Sequence, residues 1–137
     1  MLEAGVSATA VSSQGVKVGL GQPPRCLRFR PSQANAWLCL GLGLKSTAPS
    51  QCDEIDFCVH CGKGGTLYVY EKGNQKLASS VKYSANSVIE IRVTELRVEV
   101  WLDGQRLDYS GTLQGPSTLY AMAHLAPGAE VVDIEWL

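Results

Sequence analysis

The sequence predicts an antiparallel all-β domain in which two sheets pack as a sandwich. Short segments of alternating apolar and polar residues follow one another along the chain, and no segment shows the 3.6-residue period of a long helix. Turn dipeptides separate several of these segments. Asp103-Gly104, between residues 97–102 and 105–109, is the clearest, because a two-residue hairpin turn needs residues that tolerate positive φ. A barrel is the alternative that this pattern leaves open.

Each predicted strand is bounded by turn or breaker residues. Ser-Ser-Gln-Gly separates the first two strands, prolines stand on both sides of residues 26–30, a polar stretch follows residue 44, and Gly-Lys-Gly-Gly and Lys-Gly-Asn bracket residues 66–71. We therefore expect about a dozen strands. They are residues 6–11, 16–20, 26–30, 36–44, 55–61, 66–71, 75–79, 87–93, 97–102, 105–109, 118–124 and 130–136.

Alternation assigns side chains to the two faces of a strand. Residues 36–44 are nearly all apolar, which is typical of a strand covered on both faces in the middle of a sheet. Within 26–30, alternation separates the apolar pair Leu27 and Phe29 from the side of Cys26, Arg28 and Arg30. The same rule divides residues 97–102 between two faces, with Val98, Val100 and Leu102 in the core and Arg97, Glu99 and Trp101 outside. In residues 66–71 it places Leu67 and Val69 on one face and Tyr68 and Tyr70 on the other.

Size and charge limit the classes of function. The 137 residues fit one domain, 1–137, which can bury roughly two-thirds of its unfolded surface. A net charge of −1 without a basic stripe argues against nucleic acid as a partner. No apolar run is long enough to predict a transmembrane helix, and the first residues predict no secretory signal.

Five cysteines are an odd number, so at least one has no partner within the chain. We expect small apolar side chains with free thiols in a reducing compartment, which favours an intracellular location without establishing one. A single bridge within residues 52–61, or from that segment to Cys39, is the alternative.

Several residue patterns are candidates for a chemical site. Cys58-x-x-Cys61 beside His60 fits zinc or redox chemistry weakly, because alternation puts the two cysteines on opposite faces. His60 and His124 are the two histidines that a nucleophile would need as a base, yet no catalytic signature accompanies them. The carboxylates spaced as outward strand positions are Glu71, Glu90, Glu99 and Asp108. We therefore expect no enzyme, no metal and no cofactor.

Two glycine-rich stretches precede no predicted helix, so neither is a phosphate-binding loop. We expect Gly41 and Gly43 to serve a bulge, and residues 62–65 a tight turn. Aromatic side chains are the better ligand candidates, because rigid amphipathic rings suit both sugars and protein partners. They are Tyr68, Tyr70, Tyr83, Trp101 and Tyr109.

Three segments, residues 66–74, 83–92 and 98–106, resemble concanavalin A-like jelly-roll modules, which are relatives of the SPRY and laminin-G sandwiches. The closing segment 128–136 is similar to the last strand of those modules, and residues 36–44 are similar to a strand that ends in Gly-Leu. The resemblance covers residues 26–136 and implies a jelly-roll sandwich. The Asp/Asn metal cluster of legume lectins has no matching motif here.

We therefore expect a non-catalytic recognition module that binds a glycan or a protein surface on a sheet face or loop rim. The predicted site residues are Trp101, Tyr68, Tyr70, Glu99, Arg97 and Asn74. The alternative is a structural subunit whose outer face is docked permanently in a larger assembly.

Overall fold

The computed structural model describes residues 2–3, 8–12, 14–77 and 80–137, and it is a sandwich of two antiparallel sheets. Its strands are β1 (Leu2–Glu3), β2 (Ala8–Val11), β3 (Val16–Val18), β4 (Arg25–Pro31), β5 (Leu38–Gly43), β6 (Phe57–Cys61), β7 (Thr66–Glu71), β8 (Asn74–Gln75), β9 (Val81–Lys82), β10 (Ile89–Thr94), β11 (Arg97–Leu102), β12 (Gln105–Thr112), β13 (Ser117–Leu125) and β14 (Glu130–Trp136). A 3₁₀ turn, Cys52–Glu54, lies between β5 and β6.

The two sheets contain different sets of hairpins. Sheet A has the order β1-β14-β4-β10-β11-β12, and sheet B has the order β2-β13-β5-β6-β7-β8, with β3 paired to β13 and β9 paired to β7. The predicted two-sheet sandwich is confirmed. Among the described residues no helix is long and apolar enough to cross a membrane.

The core lies between the sheets and is built from the alternate residues of each strand. Leu27 and Phe29 of β4 are fully buried, as alternation predicted, and Val98 and Val100 of β11 are buried on the same inner face of sheet A, in the same cluster. Trp101 points outward. Burial of each such aliphatic or aromatic side chain contributes about 1.5–3 kcal/mol.

Strand β5 runs through the middle of sheet B, between β13 and β6, and all six of its residues are buried. The expected bulge at Gly41 and Gly43 is wrong, because β5 pairs in regular register with both neighbours. Neighbouring atoms take up the space that a Cβ would fill: at Gly41 mainly the Phe57 carbonyl oxygen of β6 and then the Ile55 side chain, and at Gly43 the Met122 side chain. The expected tight turn at residues 62–65 is present, with Gly64 and Gly65 at φ +94° and +93°.

A few strand boundaries differ from the predictions. The predicted strand 75–79 is reduced to β8, and residues 78–79, like residues 6–7 of the first predicted strand, lie outside the described residues. Tyr83 and Tyr109, considered above as ligand-contacting rings, are only 6% exposed and belong to the core. Each hydroxyl has a partner there: Tyr83 donates to the Gly62 carbonyl and Tyr109 to Glu71 Oε1, both at 2.7 Å.

Candidate functional site

The structure places the predicted site residues on two outer faces that point away from each other. Trp101, Glu99 and Arg97 lie on β11 of sheet A, whereas Tyr68 and Tyr70 lie on β7 of sheet B. The predicted residues therefore do not form one shared surface, because the two hairpins belong to different sheets. The remaining predicted residue is exposed at the edge of sheet B, where β8 pairs with the end of β7: Asn74.

The outer face of sheet A satisfies its own charges. The Arg92 guanidinium lies 3.8 Å from the centre of the Trp101 ring, and the indole Nε1 of Trp101 donates to Glu99 at 3.3 Å. Glu99 also pairs with Arg97 and Arg106 at 3.3 and 3.1 Å. The Trp101 ring is already covered by a cation, and its N–H already has an acceptor. Trp101 therefore has less free ring surface and no free donor for a ligand, in contrast to an uncovered indole.

The outer face of sheet B carries five contiguous rings, Trp37, His60, Tyr68, Tyr70 and His124, which we call the ring face. Trp37 stacks on His124, with ring centres 5.2 Å apart and planes 25° apart, and its centre lies 6.1 Å from that of His60. The His60 ring lies 5.8 Å from both tyrosine rings, which are 6.2 Å from each other. All five side chains are half-buried, so each presents part of its surface to solvent.

Cross-strand register explains why these rings meet. His124, Cys39, His60 and Tyr68 are directly paired residues of β13, β5, β6 and β7, so their side chains form one row across the sheet. Trp37 precedes Cys39 by two positions and projects to the same side. Three interstrand spacings make this row about 14 Å long.

The segment of residues 44–56 packs beside the ring face. Its Ile55 is fully buried and packs in a second apolar cluster on the outer side of sheet B, together with Cys39, Cys58 and Met122. Trp37 and Tyr70 pack against that cluster. A disulfide joins Cys39, in the middle of the row, to Cys52 of the 3₁₀ turn. The expectation of five free thiols is therefore wrong for these two, and the alternative of a bridge to Cys39 holds. The free cysteines of the described chain are Cys26, Cys58 and Cys61.

The polar atoms of the ring face are unevenly satisfied. His124 Nδ1 is buried and has no hydrogen-bond partner within the described parts of the chain. The pKa of Glu54, in the 3₁₀ turn, is lowered mainly by hydrogen bonds from the Ser50 hydroxyl and amide, and to a lesser extent by the charges of Lys45 and His124. Leaving a ring nitrogen buried without a hydrogen-bond partner costs about 1–3 kcal/mol.

Burial lowers the pKa of His60 below its ordinary value of 6.5. The folded protein therefore holds this ring neutral, and the associated stability is complete above pH 6.5 and is lost as the pH falls through the folded-state pKa. NMR titration of the imidazole protons should show His60 protonating at a lower pH than a histidine peptide. The variant His60→Phe should lose less stability between pH 7 and 5 than wild type does, and an equal loss in both would contradict this assignment.

The candidate catalytic and metal residues are dispersed. Cys61 lies in the core, whereas Cys58 and His60 share the outer face, as alternation predicted. Burial raises the pKa of Cys58 to about 12, which keeps its sulfur a poorly nucleophilic thiol. Of the four carboxylates considered above, Glu71 accepts a hydrogen bond from the Tyr109 hydroxyl, and Glu90 and Glu99 are paired with arginines. Within the described ranges no three His, Cys, Asp or Glu side chains cluster as a metal site would require.

Sequence reasoning recognised Tyr68 and Tyr70 as outward rings but missed Trp37, His60 and His124 as their companions. Alternation along a strand is the signal that identifies Trp37 and His60. Trp37 shares a face with Cys39, and His60 shares a face with Cys58, because each pair is two positions apart. The missing information was the order of strands β13, β5, β6 and β7, which no local pattern contains.

Comparison with known proteins supports the fold. No family model matches the sequence, and the search of curated proteins gave no match. Among solved structures, the PSpry domain of TRIM65 is 12% identical, with a TM-score of 0.67 over 97% of this chain and 72% of that one. The carbohydrate-binding module CBM66 of Bacillus subtilis is 7% identical, with a TM-score of 0.56 over 98% and 83%.

Alginate lyase A1-II', of polysaccharide lyase family 7, is 12% identical, with a TM-score of 0.56 over 89% of this chain and 64% of the lyase. These structures have different names and activities, and at such low identity the likeness concerns architecture. The chain therefore has the concanavalin A-like jelly-roll fold that the segments 66–74, 83–92 and 98–106 predicted.

Proposed function

We propose that this protein is a non-catalytic recognition module that binds a neutral glycan on the ring face of sheet B. One observation carries the proposal: five half-exposed rings lie in contact over four strands, and polar ring atoms stand among them. A sugar presents an apolar C–H face for stacking and hydroxyls at its edge for hydrogen bonds, so it matches a surface of this mixed character.

The character of the five side chains favours a neutral ligand. None of them is a lysine or arginine, and burial keeps His60 uncharged near neutral pH. Tyr68 and Tyr70 add hydroxyl groups, which can donate and accept hydrogen bonds, to this half-exposed surface. Anionic sugars would need compensating cations, and the arginines of β4, β10, β11 and β12 belong to sheet A.

A sugar suits this surface better than a protein partner does. The large exposed aliphatic side chains of the described residues are not members of the ring face: Leu20, Leu44, Ile134 and Leu137. The fold is compatible with glycan recognition, since CBM66, a carbohydrate-binding module by name, shares it. Alginate lyases, which are enzymes by name, share it too, so the proposal rests on the ring face and not on the fold.

The test compares tryptophans on the two outer faces. The hexasaccharides of cellulose, mannan and laminarin are titrated while tryptophan fluorescence is followed, with Trp101 and Trp136 replaced by Phe so that Trp37 alone reports. We expect at least one of them to change the Trp37 emission. Calorimetry on single variants should then give at least a tenfold weaker Kd for Trp37→Ala, because a stacking ring is lost.

Trp101→Ala is the matched control and should bind within twofold of wild type, because Trp101 lies on the opposite face. Unchanged binding by Trp37→Ala, or loss of binding in Trp101→Ala alone, would remove the ring face as the site. If all the sugars fail and the protein instead co-purifies stoichiometrically with other subunits, the docked-subunit function replaces this one.

A further inference from the structure

The disulfide joins the centre of the ring face to the segment that flanks it. Cys39 is fully buried and is paired directly with His124 on one side and His60 on the other. Its partner Cys52 belongs to the 3₁₀ turn of the 44–56 segment. This bond is therefore a covalent cross-link between the row of rings and the segment beside it.

Other contacts hold the 44–56 segment weakly. Most of its residues are exposed, Pro49 and Ile55 are buried, and Cys52 and Asp56 are half-buried. Hydrogen bonds fix its two ends, from the Leu44 amide to Asp56 and from the Lys72 amide to the Asp56 carbonyl. Between those ends, the disulfide and Ile55 are what keep the segment against the sheet.

We propose that the Cys39–Cys52 bridge makes glycan binding redox-dependent: when it is reduced, the 44–56 segment leaves the ring face and affinity falls. This inference rests on the proposed function for its binding consequence. Loss of the bridge restores conformational freedom to the segment. Trp37 and Tyr70 then lose their packing against Ile55.

The reduction requires an external dithiol. Its thiolate attacks Cys52 Sγ, since Cys52 is partly exposed while Cys39 is fully buried; a mixed disulfide forms, and Cys39 leaves as a thiolate that takes up a proton. The second thiol of the reagent attacks the reagent's own sulfur in the mixed disulfide. Cys52 leaves as a thiolate and is protonated, and the reagent departs as a cyclic disulfide. Two electrons and two protons are transferred from the dithiol to the protein.

Cys58 does not exchange with the bridge, although it packs in the same cluster. It pairs with Gly41 rather than with Cys39 across β5 and β6, which places it on a diagonal where bridging geometry is poor. It is also 1% exposed, and burial keeps it protonated. The state of the bridge therefore follows the external reductant.

The first experiment needs no glycan. Wild type is treated with dithiothreitol, and thiols titrated in denaturant should rise from three to five. Trypsin cleavage after Lys45, which is the single Lys or Arg in the segment, should become at least tenfold faster. Cys52→Ser should show the fast cleavage without reductant. Cys26→Ser, on the opposite face, should stay slow until reduced.

The second experiment measures Kd for whichever of the three hexasaccharides binds wild type most tightly. Reduction, or Cys52→Ser, should weaken binding at least tenfold, whereas Cys26→Ser should respond to reductant as wild type does. Unchanged cleavage after Lys45 overturns the inference, and so does faster cleavage with unchanged Kd. Sugars that fail against the oxidised protein refute the proposed function instead, and the cleavage rates still decide whether the bridge holds the segment.

Discussion

Gly41→Ala is expected to cost about 3 kcal/mol or more of unfolding free energy, measured by urea denaturation. A Cβ on Gly41 would overlap the Phe57 carbonyl oxygen of the neighbouring strand and lie 2.9 Å from both the Cys58 Cα and the Ile55 side chain. Two of these three neighbours are backbone atoms of β6 and cannot rotate away, so β5 and β6 would have to separate in the middle of sheet B.

Gly43→Ala is the control, because it is the same change two residues further along the same face. There the added Cβ would meet only the Met122 side chain, whose flexible thioether can move aside. We expect a cost below about 1 kcal/mol. Equal losses of unfolding free energy in the two variants would contradict this explanation. They would show that the close contact between Gly41 and the backbone of β6 is not what requires glycine there.

Side-chain direction is the part of the fold that could be predicted reliably. Alternation correctly put Val98 and Val100 inside and Trp101 outside, and it put Cys58 and His60 on one face with Cys61 on the other. These predictions succeed because pleating is a local property with a period of two residues. A near-continuous apolar run likewise identified β5 as a central strand.

Strand order could not be predicted, and the candidate site depends on it. The hairpins that contain Tyr68 and Trp101 have the same local pattern, yet one enters sheet B and the other sheet A. The ring face combines β13 with β5, two strands about 80 residues apart in the chain. The pairing of Cys39 with Cys52 depends on the same non-local information, since spacing alone leaves several connectivities open.

Tyr109→Phe is expected to cost about 2 kcal/mol, because it removes a hydrogen bond that ties the two sheets together. Tyr109 belongs to β12 of sheet A and donates to Glu71 at the end of β7 of sheet B, at 2.7 Å. Gly111 leaves the room for this bond, since a Cβ there would overlap the Tyr109 hydroxyl and lie 2.8 Å from the Glu71 carboxylate. Phe fills the same core volume, so the measured loss isolates the hydroxyl.

The pH dependence of this loss provides a second measurement. Burial raises the pKa of Tyr109 far above its ordinary value of 10, and the hydrogen bond to Glu71 raises it further. A raised folded-state pKa means that the contribution of this group is fully present below pH 10 and declines as the pH rises further, because only the unfolded chain ionises readily. Wild type should therefore lose its advantage over Tyr109→Phe above pH 10.

Tyr120→Phe is the control, because the Tyr120 hydroxyl makes no hydrogen bond to the described residues. It should lower the unfolding free energy by less than about 0.5 kcal/mol. A Tyr109→Phe variant as stable as Tyr120→Phe would mean that packing alone joins the sheets at this edge.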